Sequence, residues 1–151
     1  MKSIIFICTG NICRSPMAHW YMQKRIDDMK KSEEYLISSC GTNTYGGERA
    51  TQNAIQAIAK YGVNMENHRS TNISDVDLST YDLIICMTEN HKDIVLFTYP
   101  NIKDKIFTLK EYVYNDQIYT DIDDPWGYDI SVYNSCGKEI VDCVDKLIEK
   151  F

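Results

Sequence analysis

The run Asp82-Leu83-Ile84-Ile85-Cys86-Met87 is almost continuously apolar. It is too short for a buried helix and lacks the polar alternation of a strand wetted on one face. A strand covered on both sides fits this pattern, and such strands lie in the middle of parallel sheets whose crossover helices supply the cover. The rest of the chain provides those helices. Strand-like runs at 3–8, 35–39 and 105–109 alternate with helical patterns at 15–29, 49–61, 88–97 and 131–151. Strand then helix, four times over, predicts an α/β fold with one four-stranded parallel sheet, helices on both faces and right-handed crossovers.

The helical stretches carry their own boundaries. Ser15 suits an N-cap and Pro16 the first turn, where its missing N–H costs nothing. Ala18, Met22, Ile26 and Met29 then recur at helical spacing and predict a stripe laid on the sheet. Gly62 is placed to stop the second helix. Ile140, Val144, Leu147 and Phe151 form the stripe expected for the last one. At 151 residues, with no repeat, linker or low-complexity segment, the chain reads as one domain over 1–151.

Composition narrows the function. Twenty-two acidic residues against 16 basic ones give a net charge of -6, a field that repels nucleic acid and anionic lipid. The first apolar run is shorter than a secretion signal requires, and no run is long enough to span a membrane, so a soluble cytoplasmic protein is expected. A monomer is the default expectation, independent of these features. Cysteines at 8, 13, 40, 86, 136 and 143 show no C-x-x-C spacing and are expected as reduced thiols. Neither a metal nor a cofactor is expected.

Sheets of this kind bind ligands beyond the carboxyl ends of their strands, where the loops leading into helices gather. The first such loop is Cys8-Thr9-Gly10-Asn11-Ile12-Cys13-Arg14-Ser15. Its backbone N–H groups, from Thr9 to Ser15, and the helix N-terminus behind it predict an anion site. Gly10 and Asn11 are the residues best suited to positive φ in a tight curl. Arg14 offers a planar fork for two phosphate oxygens. Thiols beside a helix N-terminus and an arginine ionise more readily, so Cys8 is predicted to be a nucleophile beneath a phosphoryl group. Ser15 either caps the helix or bonds the Cys8 sulfur.

Downstream, Asp121, Asp123, Asp124 and Asp129 make an acidic loop. Pro125 favours Asp124 by restricting the residue before it. The carboxylates are otherwise equivalent in sequence, and turn formation or solvation would also explain them.

The segment CTGNICRSP resembles the signature loop of the low-molecular-weight protein tyrosine phosphatases, and the resemblance runs through essentially the whole chain. It implies that Cys8 attacks phosphorus, that Arg14 and the loop amides hold the phosphate, and that Asp124, in Asp124-Pro125-Trp126, protonates the leaving group. The implied activity is metal-free hydrolysis of phosphotyrosine and aryl phosphates through a phosphocysteine, with phosphotyrosine proteins as substrates and phosphate or other oxyanions bound in the loop. An acidic, bell-shaped pH optimum follows, since Cys8 must be ionised while Asp124 is protonated.

The same resemblance places Ser39 and His68 where a Ser and a His bond the loop Asn, here Asn11. It puts Tyr45 and Trp126 at the aromatic pocket rim, and makes Cys13 a second loop cysteine able to pair with the nucleophile. His19 and Thr88 depart from it, since acidic residues are expected at both positions.

Three other readings share these features. Thioredoxin-coupled arsenate reductases would need two more cysteines after the third strand, where only Cys86 is near and position 93 is Asp. Protein arginine phosphatases have Thr where this chain has Ile12, and an isoleucine there points to the flatter phosphotyrosine. A phosphate-binding or thiol redox sensor using Cys8 and Cys13 would have no use for a proton donor at Asp124.

Overall fold

The first strand, β1 (Lys2–Cys8), is buried from Ser3 onward and has a parallel neighbour on each side. In the computed structural model, which describes residues 1–151, β2 (Tyr35–Gly41) lies on one flank and β3 (Leu83–Cys86) on the other. A short β4 (Ile106–Thr108) pairs in parallel with β3 and completes the order β2-β1-β3-β4. All four residues of β3 are buried, as its unbroken apolar run requires.

Side chains alternate across a strand, so β1 feeds two cores. Ile4, Phe6 and Cys8 join the larger one, with residues of α1 (Arg14–Asp28), α2 (Gln52–Ala59) and α5 (Ile130–Ile148). Ile5 and Ile7 join the smaller one, with Leu78, Ile84, Ile106 and Val95 of α3 (Glu89–Thr98). Helices therefore cover both faces. Cys8 is the last residue of β1 in the phase of Ile4 and Phe6, which leaves its sulfur under the N-terminus of α1.

Several boundaries differ from expectation. Helix α1 begins one residue early, at Arg14, with Cys13 as its N-cap and no side-chain cap bond. Ser15 is thus inside the helix rather than capping it. Its stripe buries Ala18, Met22 and Ile26, whereas Met29 is the C-cap and exposed. α2 starts later than expected because Thr51 caps it, accepting from the Ala54 N–H. Arg49 instead bridges Arg69. Gly62 has φ +80 just beyond that helix. In α5 the stripe of Ile140, Val144 and Leu147 is buried, and Phe151 lies past the helix end, tilted against Tyr35.

One helix is new. α4 (Leu109–Tyr114) follows β4 directly, and Thr108 and Glu111 form a reciprocal capping box at its start.

Candidate active site

The loop between β1 and α1 is held from three directions. Its Cys8 and Thr9 carbonyls accept from the Thr42 and Asn43 N–H groups, both at 2.9 Å, and its Ile12 carbonyl accepts from Thr51 N–H at 3.0 Å. Asn11, wholly buried, has φ +56 and alone in the loop takes the left-handed conformation; Gly10 does not. Asparagine tolerates that region when its amide is bonded locally. Here Oδ1 accepts from Thr71 N–H at 3.0 Å and Nδ2 donates to Ser15 Oγ at 2.8 Å. Gly41, at the end of β2, lets the loop come close: a Cβ there would stand 2.5 Å from the Thr9 carbonyl oxygen.

Cys8 Sγ lies 2.9 Å from Ser15 Oγ, with both residues buried. The first turn of α1 adds N–H groups that have no partner within the helix. Arg14 is only 5% exposed, so its charge is committed to this spot. Its Nη1 donates to the Ile122 carbonyl at 2.8 Å, and its Nη2 stands 3.6 Å from Asp124 Oδ2. Asp124 is about half exposed and takes the Trp126 N–H on Oδ1 at 3.1 Å. The segment carrying it is fixed to the sheet by the Ile122 N–H to Met87 carbonyl bond.

These groups face a cleft of about 410 Å³. Cys8, Thr9, Gly10, Cys13 and Arg14 line it, with Ile12, Trp126, Asn43 and Asp124 around them. Of the residues singled out from the sequence, Tyr45 is not in the lining. It is fully exposed, while Asn43, which sequence reasoning missed, takes a place at the cleft. Cys13 Sγ is 3.4 Å from Tyr133 Oη and 3.5 Å from Thr51 Oγ1, and burial pushes its pKa up.

His68 Nε2 bonds the Asn11 carbonyl at 2.8 Å, the loop contact expected of it. Ser39 does not reach Asn11. Its Oγ is instead 2.8 Å from Nδ1 of His19, so its hydroxyl is engaged by α1 rather than by the loop. Thr88 caps α3, its Oγ1 accepting from the His91 N–H at 3.2 Å.

His91 is a further residue that sequence reading passed over. It is buried, with Nδ1 2.9 Å from Thr88 Oγ1 and Nε2 2.8 Å from Thr9 Oγ1, and so ties the loop to α3. Burial, with Arg14 adding to it, pulls its pKa down to about 4. The only sequence signal was its position three residues after a capping threonine.

Comparison with known proteins places the chain among protein phosphatases. The family profile described as low molecular weight phosphotyrosine protein phosphatase matches residues 3–151, and the chain belongs to that family. It is 33% identical over 147 residues to a protein-arginine-phosphatase of Geobacillus stearothermophilus, covering 97% of this chain and 94% of that one. It is likewise 33% identical over 153 residues to the low molecular weight phosphotyrosine protein phosphatase of Mus musculus, covering 99% and 95%. The solved low molecular weight protein tyrosine phosphatase of T. tengcongensis is similar throughout, with a TM-score of 0.90, 34% identity and full coverage of both chains.

Proposed function

We propose that the protein hydrolyses phosphotyrosine in proteins, acting as one domain over residues 1–151 and as a monomer. The observation that carries this reading is the set of three groups on one cleft: buried Cys8, buried Arg14, and Asp124 held 3.6 Å from that arginine. The Cys8 thiolate attacks phosphorus in line, the bond from phosphorus to the aryl oxygen breaks, and Asp124 gives its proton to the departing phenolate. Water then attacks phosphorus, Asp124 takes its proton, and the sulfur–phosphorus bond breaks to restore the thiolate. Arg14 and the amides of Thr9, Gly10, Asn11, Ile12, Cys13 and Ser15 bind the phosphoryl oxygens, because phosphoryl transfer is catalysed mainly by positioning and charge. No step uses a metal. A reducing cytoplasm suits this chemistry, which needs Cys8 as a free thiolate.

Ile12 and Trp126 favour tyrosine as the leaving group. Both line the cleft, and an aliphatic and an aromatic wall suit a flat phenyl ring. Phosphoarginine is the second reading, supported by the arginine phosphatase among the relatives at 33% identity. The two part on one experiment, in which native protein and Ile12→Thr are given a phosphotyrosine peptide and a phosphoarginine peptide. Native preference for phosphotyrosine, reduced in the variant, supports the first reading. Native preference for phosphoarginine overturns it.

A further inference from the structure

The hydrogen-bond chemistry of His68 is fixed by what it touches. A backbone carbonyl only accepts, so the 2.8 Å contact between His68 Nε2 and the Asn11 oxygen requires the ring hydrogen on Nε2. An indole nitrogen only donates, so the 2.9 Å contact from Trp20 Nε1 requires a lone pair on His68 Nδ1. Together they define one neutral tautomer. A second ring proton would face N–H with N–H, in a place where His68 is 4% exposed and Asn11 not at all.

The Asn11 carbonyl matters because its residue sits at φ +56, a conformation that costs energy and persists only where the surroundings hold it. The Thr71 and Ser15 contacts anchor the Asn11 side chain, whereas the His68 bond acts on the peptide unit itself. The direction of that peptide sets the aim of the loop amides that follow. We propose that Trp20 is a positioning residue for the Cys8 loop: its indole N–H keeps His68 neutral with hydrogen on Nε2, and so keeps the Asn11 peptide aimed for catalysis. This rests on the reading of that loop as the catalytic one.

The surroundings fit the role. The His19 ring stacks on Trp20 at 4.2 Å and 15°, and His19 Nδ1 is bonded by Ser39 Oγ at 2.8 Å. Ser39 thus touches this chain of rings at His19 and does not bond Asn11. The titratable groups facing His68 are His19, from the same helix as Trp20, and Arg69, its neighbour in the chain. Neither invites a proton. Burial lowers the His68 pKa, Arg69 lowers it further, and only the bond to Asn11 pulls the other way. An acidic side chain at position 19 would have favoured a cationic ring, whereas His19 itself is held uncharged by burial, its pKa pulled down to about 3.

The test starts with the native protein. Ring ¹⁵N shifts of His68, followed by NMR from about pH 8 to about pH 5, are expected to report hydrogen on Nε2 and a midpoint below that of free histidine. Hydrogen on Nδ1 would overturn the proposal whatever any variant does. Trp20→Phe keeps a ring against His19 and removes the donor. It is expected to raise the His68 midpoint and to lower kcat on an aryl phosphate about fivefold, with the loss growing toward acid pH and KM changing less. An unchanged His68 midpoint and an unchanged pH profile would also overturn it. Absence of native turnover would instead defeat the phosphatase reading, and the tautomer measurement would still decide the role of Trp20.

Discussion

Cys8 Sγ and Ser15 Oγ are 2.9 Å apart in the interior, and Ser15 Oγ already accepts the Asn11 side-chain N–H at 2.8 Å. The Ser15 hydrogen is therefore free for the sulfur. Donation to sulfur favours thiolate over thiol. A hydrogen bond to a charged group contributes about 1.5–3 kcal/mol, so Ser15→Ala is expected to lower kcat on an aryl phosphate roughly 10- to 100-fold. The loss should fall on kcat rather than on KM. An unchanged kcat would show that Ser15 does not act on the sulfur.

Asp124 is the half-exposed carboxylate beside Arg14, and its proposed task is to protonate the leaving oxygen. General acid catalysis of this kind contributes about 10²–10⁴-fold. Asp124→Asn should lose about that much on phosphotyrosine and much less on a nitrophenyl phosphate, whose leaving group needs little help. Equal losses on both substrates would assign Asp124 to binding.

Gly41 is needed for space, since its φ is not in the left-handed region. A Cβ would meet the Thr9 oxygen at 2.5 Å and the Asn11 nitrogen at 3.0 Å, both backbone atoms that cannot swing aside. Gly41→Ala is expected to cost about 1–3 kcal/mol of stability, as overpacking does. It should also reduce turnover about 100-fold by displacing the loop. Urea titration and aryl phosphate kinetics check the two effects separately.

Two buried histidines, His68 and His91, and the partly buried His19 make stability depend on pH. His19 is held at about 3 by burial and by His68, His91 at about 4 by burial and Arg14, and His68 is lowered by burial and Arg69. Each returns to about 6.5 on unfolding, so below that value the unfolded chain binds protons that the folded chain refuses. The stability involved is complete above about pH 6.5 and drains as pH falls toward 4. Glu111 acts later. Burial opposes its ionisation, but the Thr108 N–H and Lys92 outweigh it and hold its pKa below 4.5, so its contribution is present above that value and lost beneath it. The urea midpoint is expected to decline already between pH 7 and pH 5. A midpoint that is flat to pH 5 would contradict the neutral-histidine account.

The sheet and its order of elements were legible because β3 is apolar without interruption and the helices carry 3.6-residue stripes. Cys8, Arg14 and Asp124 were legible because their types and spacing have a chemical meaning, and the structure brings all three to one cleft. The capping box Thr108-x-x-Glu111 announced α4 in plain sequence, but the helix is only six residues long and has no repeating stripe to draw attention. Tyr45 and Asn43 lie two residues apart in the same loop, and nothing in their types decides which turns inward. The Ser39–His19 contact was beyond sequence reading for another reason. It joins residues 20 apart through a side-chain orientation that depends on how α1 crosses β2.

The central claim is that phosphorus passes through the Cys8 sulfur. The most direct measurement is acid quenching of the protein during turnover of a phosphotyrosine peptide, with a metal chelator present, followed by mass spectrometry of the Cys8 peptide. The account predicts one phosphoryl group on Cys8 in the native protein, and neither adduct nor turnover in Cys8→Ser. A phosphoryl group on another residue, or turnover that survives the loss of Cys8, would contradict it.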